Sequence, residues 1–164
     1  MQEIIAKPDP ALGYTNGELR FWLGWAQEVS GNHSGARETW EKARQELESF
    51  LNEQPENGTL LGHLALTYAA LGDSVTAFRV TEQTRAALPM EKDAVTGPRP
   101  LEILARVAAR LGDADRAIAT LQKLMTIPYS GPLGPGAPLT PALLRLDPMF
   151  DPLRKDSRFK KLVD

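Results

Sequence analysis

Residues 61–77 read LGHLALTYAALGDSVTA, and residues 101–117 read LEILARVAARLGDADRA. Laid over one another at a shift of 40, they share eight identities: Leu61 with Leu101, Leu64 with Leu104, Ala65 with Ala105, Ala69 with Ala109, Leu71 with Leu111, Gly72 with Gly112, Asp73 with Asp113 and Ala77 with Ala117. A shift of 41 adds a weaker copy, in which Leu23, Gly31, Asn32 and Ala36 fall opposite Leu64, Gly72, Asp73 and Ala77. Self-similarity at a fixed period marks a repeat architecture, here of three copies.

The spacing inside each copy is helical. Leu61, Leu64, Ala65, Tyr68 and Leu71 lie on one stripe of a 3.6-residue helix, and no alternation of the kind a strand needs appears. Each stripe ends at Gly-Asn or Gly-Asp. The glycine suits a left-handed C-terminal cap, and the following side chain can accept the free amides of the next helix. The expected unit is therefore helix, tight turn, helix. In the first copy the second helix carries Ala36, Trp40, Ala43, Leu47 and Leu51 and stops near Glu53, ahead of Pro55. Ala36, Ala77 and Ala117 fall just after the turns, where two helices cross closely and a leucine would overpack the pair by roughly 1–3 kcal/mol.

These residues resemble the tetratricopeptide repeat. Its pattern of a large apolar residue, Leu, Gly or Ala, and Tyr, then Ala, an aromatic, Ala and Pro, is met in the second copy by Leu61, Leu64, Ala65, Tyr68, Ala77 and Pro89. Leu23, Gly24, Ala36, Trp40 and Ala43 serve in the first copy, and Leu101, Leu104, Ala105, Ala108, Ala117 and Leu121 in the third. The period departs from the usual 34 residues of the family. Gln27 and Ala108 replace the tyrosine, and Thr81 and Thr84 replace an aromatic and an alanine. The resemblance implies an all-α, α-α superhelix, a solenoid of three helix pairs at about 17–54, 58–89 and 98–127, preceded by an extension over 1–16. A Pro/Gly-rich loop at 128–140 and capping helices at 141–164 complete the expected organisation.

Composition narrows the function classes. The 164 residues suit one domain or a short array, and 19 Lys+Arg against 21 Asp+Glu leave no basic field for nucleic acid. There is no cysteine, which excludes disulfides, thiolate metal sites and cysteine nucleophiles. No apolar run has signal-peptide or membrane-span length, so a cytoplasmic location with no membrane partner is expected. His33 and His63 stand thirty residues apart without a second ligand at helical spacing, so no metal is expected, and His63 reads as a hydrogen-bonded surface residue. Acid pairs such as Glu46 with Glu48, or Asp113 with Asp115, read as solvated charges. No acid, base and nucleophile converge and no cofactor motif is present, so the chain is expected not to be an enzyme. The Asn-X-Ser/Thr sequences at Asn32 and Asn57 read as turn and cap residues.

The two ends differ. Residues 128–141, PYSGPLGPGAPLTP, hold five prolines and three glycines, and must form a loop. Beyond it, Thr140-Pro141 and Asp151-Pro152 each place a capping residue before proline, so a short helix is expected to begin at both. Leu143, Leu144, Leu146, Met149, Phe150, Leu153, Phe159 and Leu162 could cap the open end of the array. This stretch also resembles the tail of bacterial multidomain proteins whose tetratricopeptide repeats follow a kinase, cyclase or winged-helix domain. The shared elements are Leu144-Arg145-Leu146-Asp147-Pro148, Asp151-Pro152-Leu153-Arg154 and Asp156 with Arg158-Phe159. That resemblance implies a regulatory appendage as the second functional reading. At the other end, Thr15 to Glu18 has the spacing of a capping box, and Phe21, Trp22 and Trp25 are expected on or near the surface. An upstream repeat, a partner or a second copy of this chain would then cover them.

What remains is the concave groove along the first helix of each pair. The repeat phase lines it with Glu18, Phe21, Trp22, Trp25 and Glu28, then Thr59, Gly62, His63, Leu66 and Ala70, then Arg99, Glu102, Ile103, Arg106 and Arg110. An aromatic end grades into a basic end, which suits a protein or peptide segment with an apolar anchor and a carboxylate-bearing portion. The family's chaperone-binding clamp uses Lys, Asn, Asn, Lys and Arg at five groove positions. Phe21, Trp25, His63, Arg99 and Ile103 stand there, and only Arg99 is compatible.

Overall fold

The computed structural model describes residues 15–133 and 136–164. The N-terminal extension expected over 1–16 therefore lies almost wholly outside the described residues. Six helices carry the three copies: α1 (Thr15–Val29), α2 (His33–Glu53), α3 (Gly58–Leu71), α4 (Ser74–Ala87), α5 (Arg99–Arg110) and α6 (Ala114–Leu124). The tail adds α7 (Pro141–Leu146), a 3-10 helix η1 (Pro148–Leu153) and α8 (Ser157–Val163). No strand occurs among the described residues.

The turns between paired helices are built three times from the same bonds. Gly31, Gly72 and Gly112 sit at φ of 87°, 87° and 81°, the left-handed region in which glycine carries no Cβ penalty. The amides of Asn32, Asp73 and Asp113 reach back to the carbonyls of Gln27, Tyr68 and Ala108, the long bond of a Schellman cap. The same three side chains then accept the amides of Gly35, Thr76 and Arg116 at the start of the next helix. Each pair is thus closed by local chemistry before any packing is considered.

Packing follows the small residues. Within pairs α1 lies on α2, α3 on α4 and α5 on α6; between pairs, α2 packs on α3, α4 on α5 and α3 on α5. This is a tetratricopeptide-like helical solenoid. Ala36, Ala77 and Ala117 are fully buried at the crossings, as are Ala65 and Ala105. Thr81 and Thr84, which depart from the family pattern, are buried too, and each hydroxyl donates to a carbonyl one turn back, Ala77 O at 2.8 Å and Val80 O at 3.0 Å.

The tail folds back on the last pair. Leu144, Phe150, Leu153 and Phe159 join Ile118, Leu121 and Leu124 in one buried cluster. Leu144 stands 40 residues after Leu104, and η1, with Pro148 at its start and Pro152 inside it, packs on α5. Two expectations need correction. The helix expected to begin at Asp151-Pro152 does not; those residues lie inside η1, which is capped by Asp147 through Met149 N, and the last helix is capped by Asp156. Asp147-Pro148 offers the same capping pair four residues earlier and takes that role. Leu143 and Leu146 do not cap the array either: they project to solvent from α7, Leu146 with 77% exposure, because the one buried side of this short helix is taken by Leu144.

Candidate functional site

The first helices of the three pairs bring the expected groove residues together, and the chain itself fills much of the space between them. At the α1 end, Phe21 is 1% exposed, its ring set edge-on to Trp22 at 5.2 Å and to His63 at 6.1 Å. Trp22 and Trp25 are half-buried. The expectation that these aromatics lie on or near the surface is corrected for Phe21, which partners within the chain cover wholly; the tryptophans are covered in part. His63 is 2% exposed and is not a surface histidine. Its Nδ1 donates to Thr59 O at 3.1 Å, and its Nε2 faces a Glu18 carboxylate oxygen at 3.4 Å. That contact holds the Glu18 carboxyl below its ordinary value despite burial.

Arg110 ties the first pair to the third. Its Nη2 donates to Glu28 at 2.9 Å, and its guanidinium lies 5.4 Å from the Trp25 ring and 5.7 Å from the Trp40 ring. Glu28 also accepts from His33 Nδ1 at 2.8 Å. Burial pushes the Glu28 carboxyl up, but the bonds from His33 and Arg110 outweigh it and hold the group below its ordinary value.

The α5 end is occupied. Arg106 is 5% exposed and is no solvated cation: Nε and Nη2 meet Glu102 Oε1 at 2.9 and 2.8 Å, Nη1 meets Asp147 Oδ2 at 2.5 Å, and the Phe150 ring lies 5.0 Å from the guanidinium carbon. Burial disfavours that charge, yet Glu102 and Asp147 more than restore it and hold its pKa above the ordinary value. Glu102 accepts from the Tyr129 hydroxyl at 2.6 Å, and that hydroxyl in turn accepts from Leu139 N at 2.9 Å. Burial, reinforced by the Glu102 charge, pushes the Tyr129 phenol well above its ordinary value. One buried network thus fastens both ends of the Pro/Gly-rich loop and the start of η1 to α5.

Between these ends, Ile103 (2% exposed) packs over Gly62, and Leu66 is buried. Arg99 donates to Ser130 O at 3.1 Å and Ser130 Oγ at 3.0 Å, and Leu133 joins the core beside them. The space left among His63, Gly62, Ile103 and Leu133 is about 10 Å³, room for one water and for no ligand. Of the nine residues expected to contact a partner, Trp22, Trp25, Arg99 and Arg110 remain reachable, and Phe21, His63, Leu66, Ile103 and Arg106 are buried by the chain.

Asp147, Tyr129 and Phe150 are the residues sequence reading left out of the groove. The one signal for them is the continued series Leu64, Leu104, Leu144, which places the tail in the next repeat position. The acid pairs also find partners: Glu46 meets Arg20 at 2.7 Å, and Asp115 meets Arg158 at 2.7 Å. Among the described residues no group of three metal-binding side chains gathers, and no helix is long and apolar enough to cross a membrane.

A family model described as tetratricopeptide repeat matches residues 98–123, the stretch that holds α5 and α6. No curated protein and no solved structure matches the chain. The class defined by match and fold together is a tetratricopeptide-like solenoid, an architecture whose members typically serve as protein-interaction modules.

Proposed function

We propose that this chain is a non-enzymatic scaffold that binds a protein or peptide segment along the concave face left open at its α1 end. One observation carries the reading. The α5 end of that face already holds a segment of protein, Asp147 to Phe150, through a carboxylate on Arg106 and a ring beneath it, which is the recognition chemistry the groove residues suggest. The α1 end offers similar materials with no tail segment over them: the half-buried Trp22 and Trp25 rings, and beside Trp25 the Arg110 guanidinium, which is held by Glu28. A partner side chain that covers these rings gains apolar burial of roughly 1.5–3 kcal/mol, and a carboxylate that reaches Arg110 shares it with Glu28.

Capture by the immobilised full-length chain from a lysate of the source cells, quantified by mass spectrometry, tests this. Trp22→Ala and Arg110→Gln are expected to release the same captured protein while helicity by circular dichroism stays that of the parent. Undiminished capture by both variants would overturn the concave-face assignment.

A further inference from the structure

The opposite side of the solenoid carries a second surface. Helix α3 turns Leu61, Leu64, Tyr68 and Leu71 toward the second helices of the array, away from the groove, and a furrow opens over that stripe between α2 and α4. One end of the furrow sets Leu51 and Val80 among the polar Glu48, Asn52 and Gln83. The other is walled by Arg37, Thr76 and Arg79 together with Glu41, Arg44 and Asp73. Tyr68 marks the middle, where its hydroxyl donates to Glu48.

The repeat supplies an internal comparison. The next furrow, between α4 and α6 over α5, is closed at the corresponding end: Phe78 packs against both core clusters, and the Arg116 guanidinium covers its ring at 4.4 Å. By the shifts of 41 and 40 that relate the copies, Phe78 corresponds to Arg37 and Arg116 to Thr76. The first furrow therefore lacks the aromatic that closes the second. It also holds two cations that no carboxylate meets in a hydrogen bond or a close ion pair. Arg44 is neutralised by Glu41 and Glu48, at 3.0 and 2.8 Å. Arg37 reaches only the Leu71 carbonyl, at 3.4 Å, and Arg79 acts on Asp73 through its field alone, making no hydrogen bond. Both are exposed.

We propose that the furrow between α2 and α4 is a second docking surface, for a protein segment that carries one aromatic side chain flanked by carboxylates. The ring lies over Tyr68 and Leu71, as Phe78 lies in the next furrow, and the carboxylates pair with Arg37 and Arg79. This surface is independent of the concave face and of whatever binds there.

The probe is a blocked pentapeptide, Asp-Asp-Phe-Asp-Asp, titrated into the ¹⁵N-labelled full chain, with Lys-Lys-Phe-Lys-Lys as the control. The acidic peptide is expected to shift the amides of Tyr68, Leu71, Thr76 and Arg79 and to leave the Trp22 and Trp25 indole signals in place. Arg37→Glu with Arg79→Glu is expected to weaken it about tenfold or more, since two charge pairs turn repulsive. Arg37→Phe, which copies the closed furrow, is expected to abolish the shifts without loss of thermal stability. Equal binding of the lysine peptide, shifts at the indoles in place of the furrow, affinity indifferent to charge reversal, or no binding at all would each overturn the proposal. Capture at the α1 end is read separately, by Trp22→Ala.

Discussion

Gly24 shows how one side chain can set a repeat apart from its copies. Its counterparts Ala65 and Ala105 are alanines, and at the level of sequence an alanine would serve there as well. In the fold, a Cβ on Gly24 would stand 2.5 Å from Trp40 Nε1, and that indole is buried and pinned by its bond to Phe21 O at 3.2 Å. Gly24→Ala is therefore expected to destabilise by about 1–3 kcal/mol in urea unfolding, against the sense of the family pattern. Glu28 gives a second residue-scale expectation, in pH. Its folded pKa lies below the ordinary 4.5, so the folded state binds fewer protons than the unfolded chain in that range. The stabilisation is complete above about pH 4.5 and is lost as pH falls through the folded value. Urea midpoints measured from pH 6 down to pH 3 should fall more steeply for the parent than for Glu28→Gln, and parallel curves would show that the bonds to Arg110 and His33 contribute nothing.

Among the elements, α5 and the tail depend on each other most. Arg106, Glu102, Asp147 and Tyr129 form one network, so removing its cation leaves the buried Glu102 carboxylate and the half-buried Asp147 without their charge partner. Arg106→Ala should cost about 3–5 kcal/mol, whereas Tyr129→Phe, which removes one hydroxyl between Glu102 and Leu139 N, should cost about 1–3 kcal/mol. Calorimetry of the two variants would test that order. The elements of the repeats were legible in sequence because each is closed locally: Gly72-Asp73 and Gly112-Asp113 state the turn, and the leucine stripe states the buried face. The tail was legible only as a set of apolar residues. Its two Asp-Pro pairs are equivalent in composition, and only packing against α5 selects Asp147 as the cap, since the bond that does so joins residues 41 apart. For the same reason the burial of Arg106 and the bonds of Arg99 to Ser130 were not legible, because neither the tail's contact with α5 nor the return of Ser130 onto Arg99 leaves a periodic trace.

At the scale of the whole molecule, the tail decides whether the array ends cleanly. Phe150, Leu153 and Phe159 cover Ile118, Leu121 and Leu124, each burial adding roughly 1.5–3 kcal/mol. A chain ending at Met125 should lose its cooperative thermal transition and bind a hydrophobic dye, and retention of a sharp transition without dye binding would show that the third pair needs no cover. Repeat arrays usually transmit load only from neighbour to neighbour, like the coils of a spring. The bond between Arg110 and Glu28 runs alongside those contacts, from the first pair directly to the third. Stretching the array must part this strap before the outer pairs can separate, so the outer coils are tied to each other as well as to the coil between them.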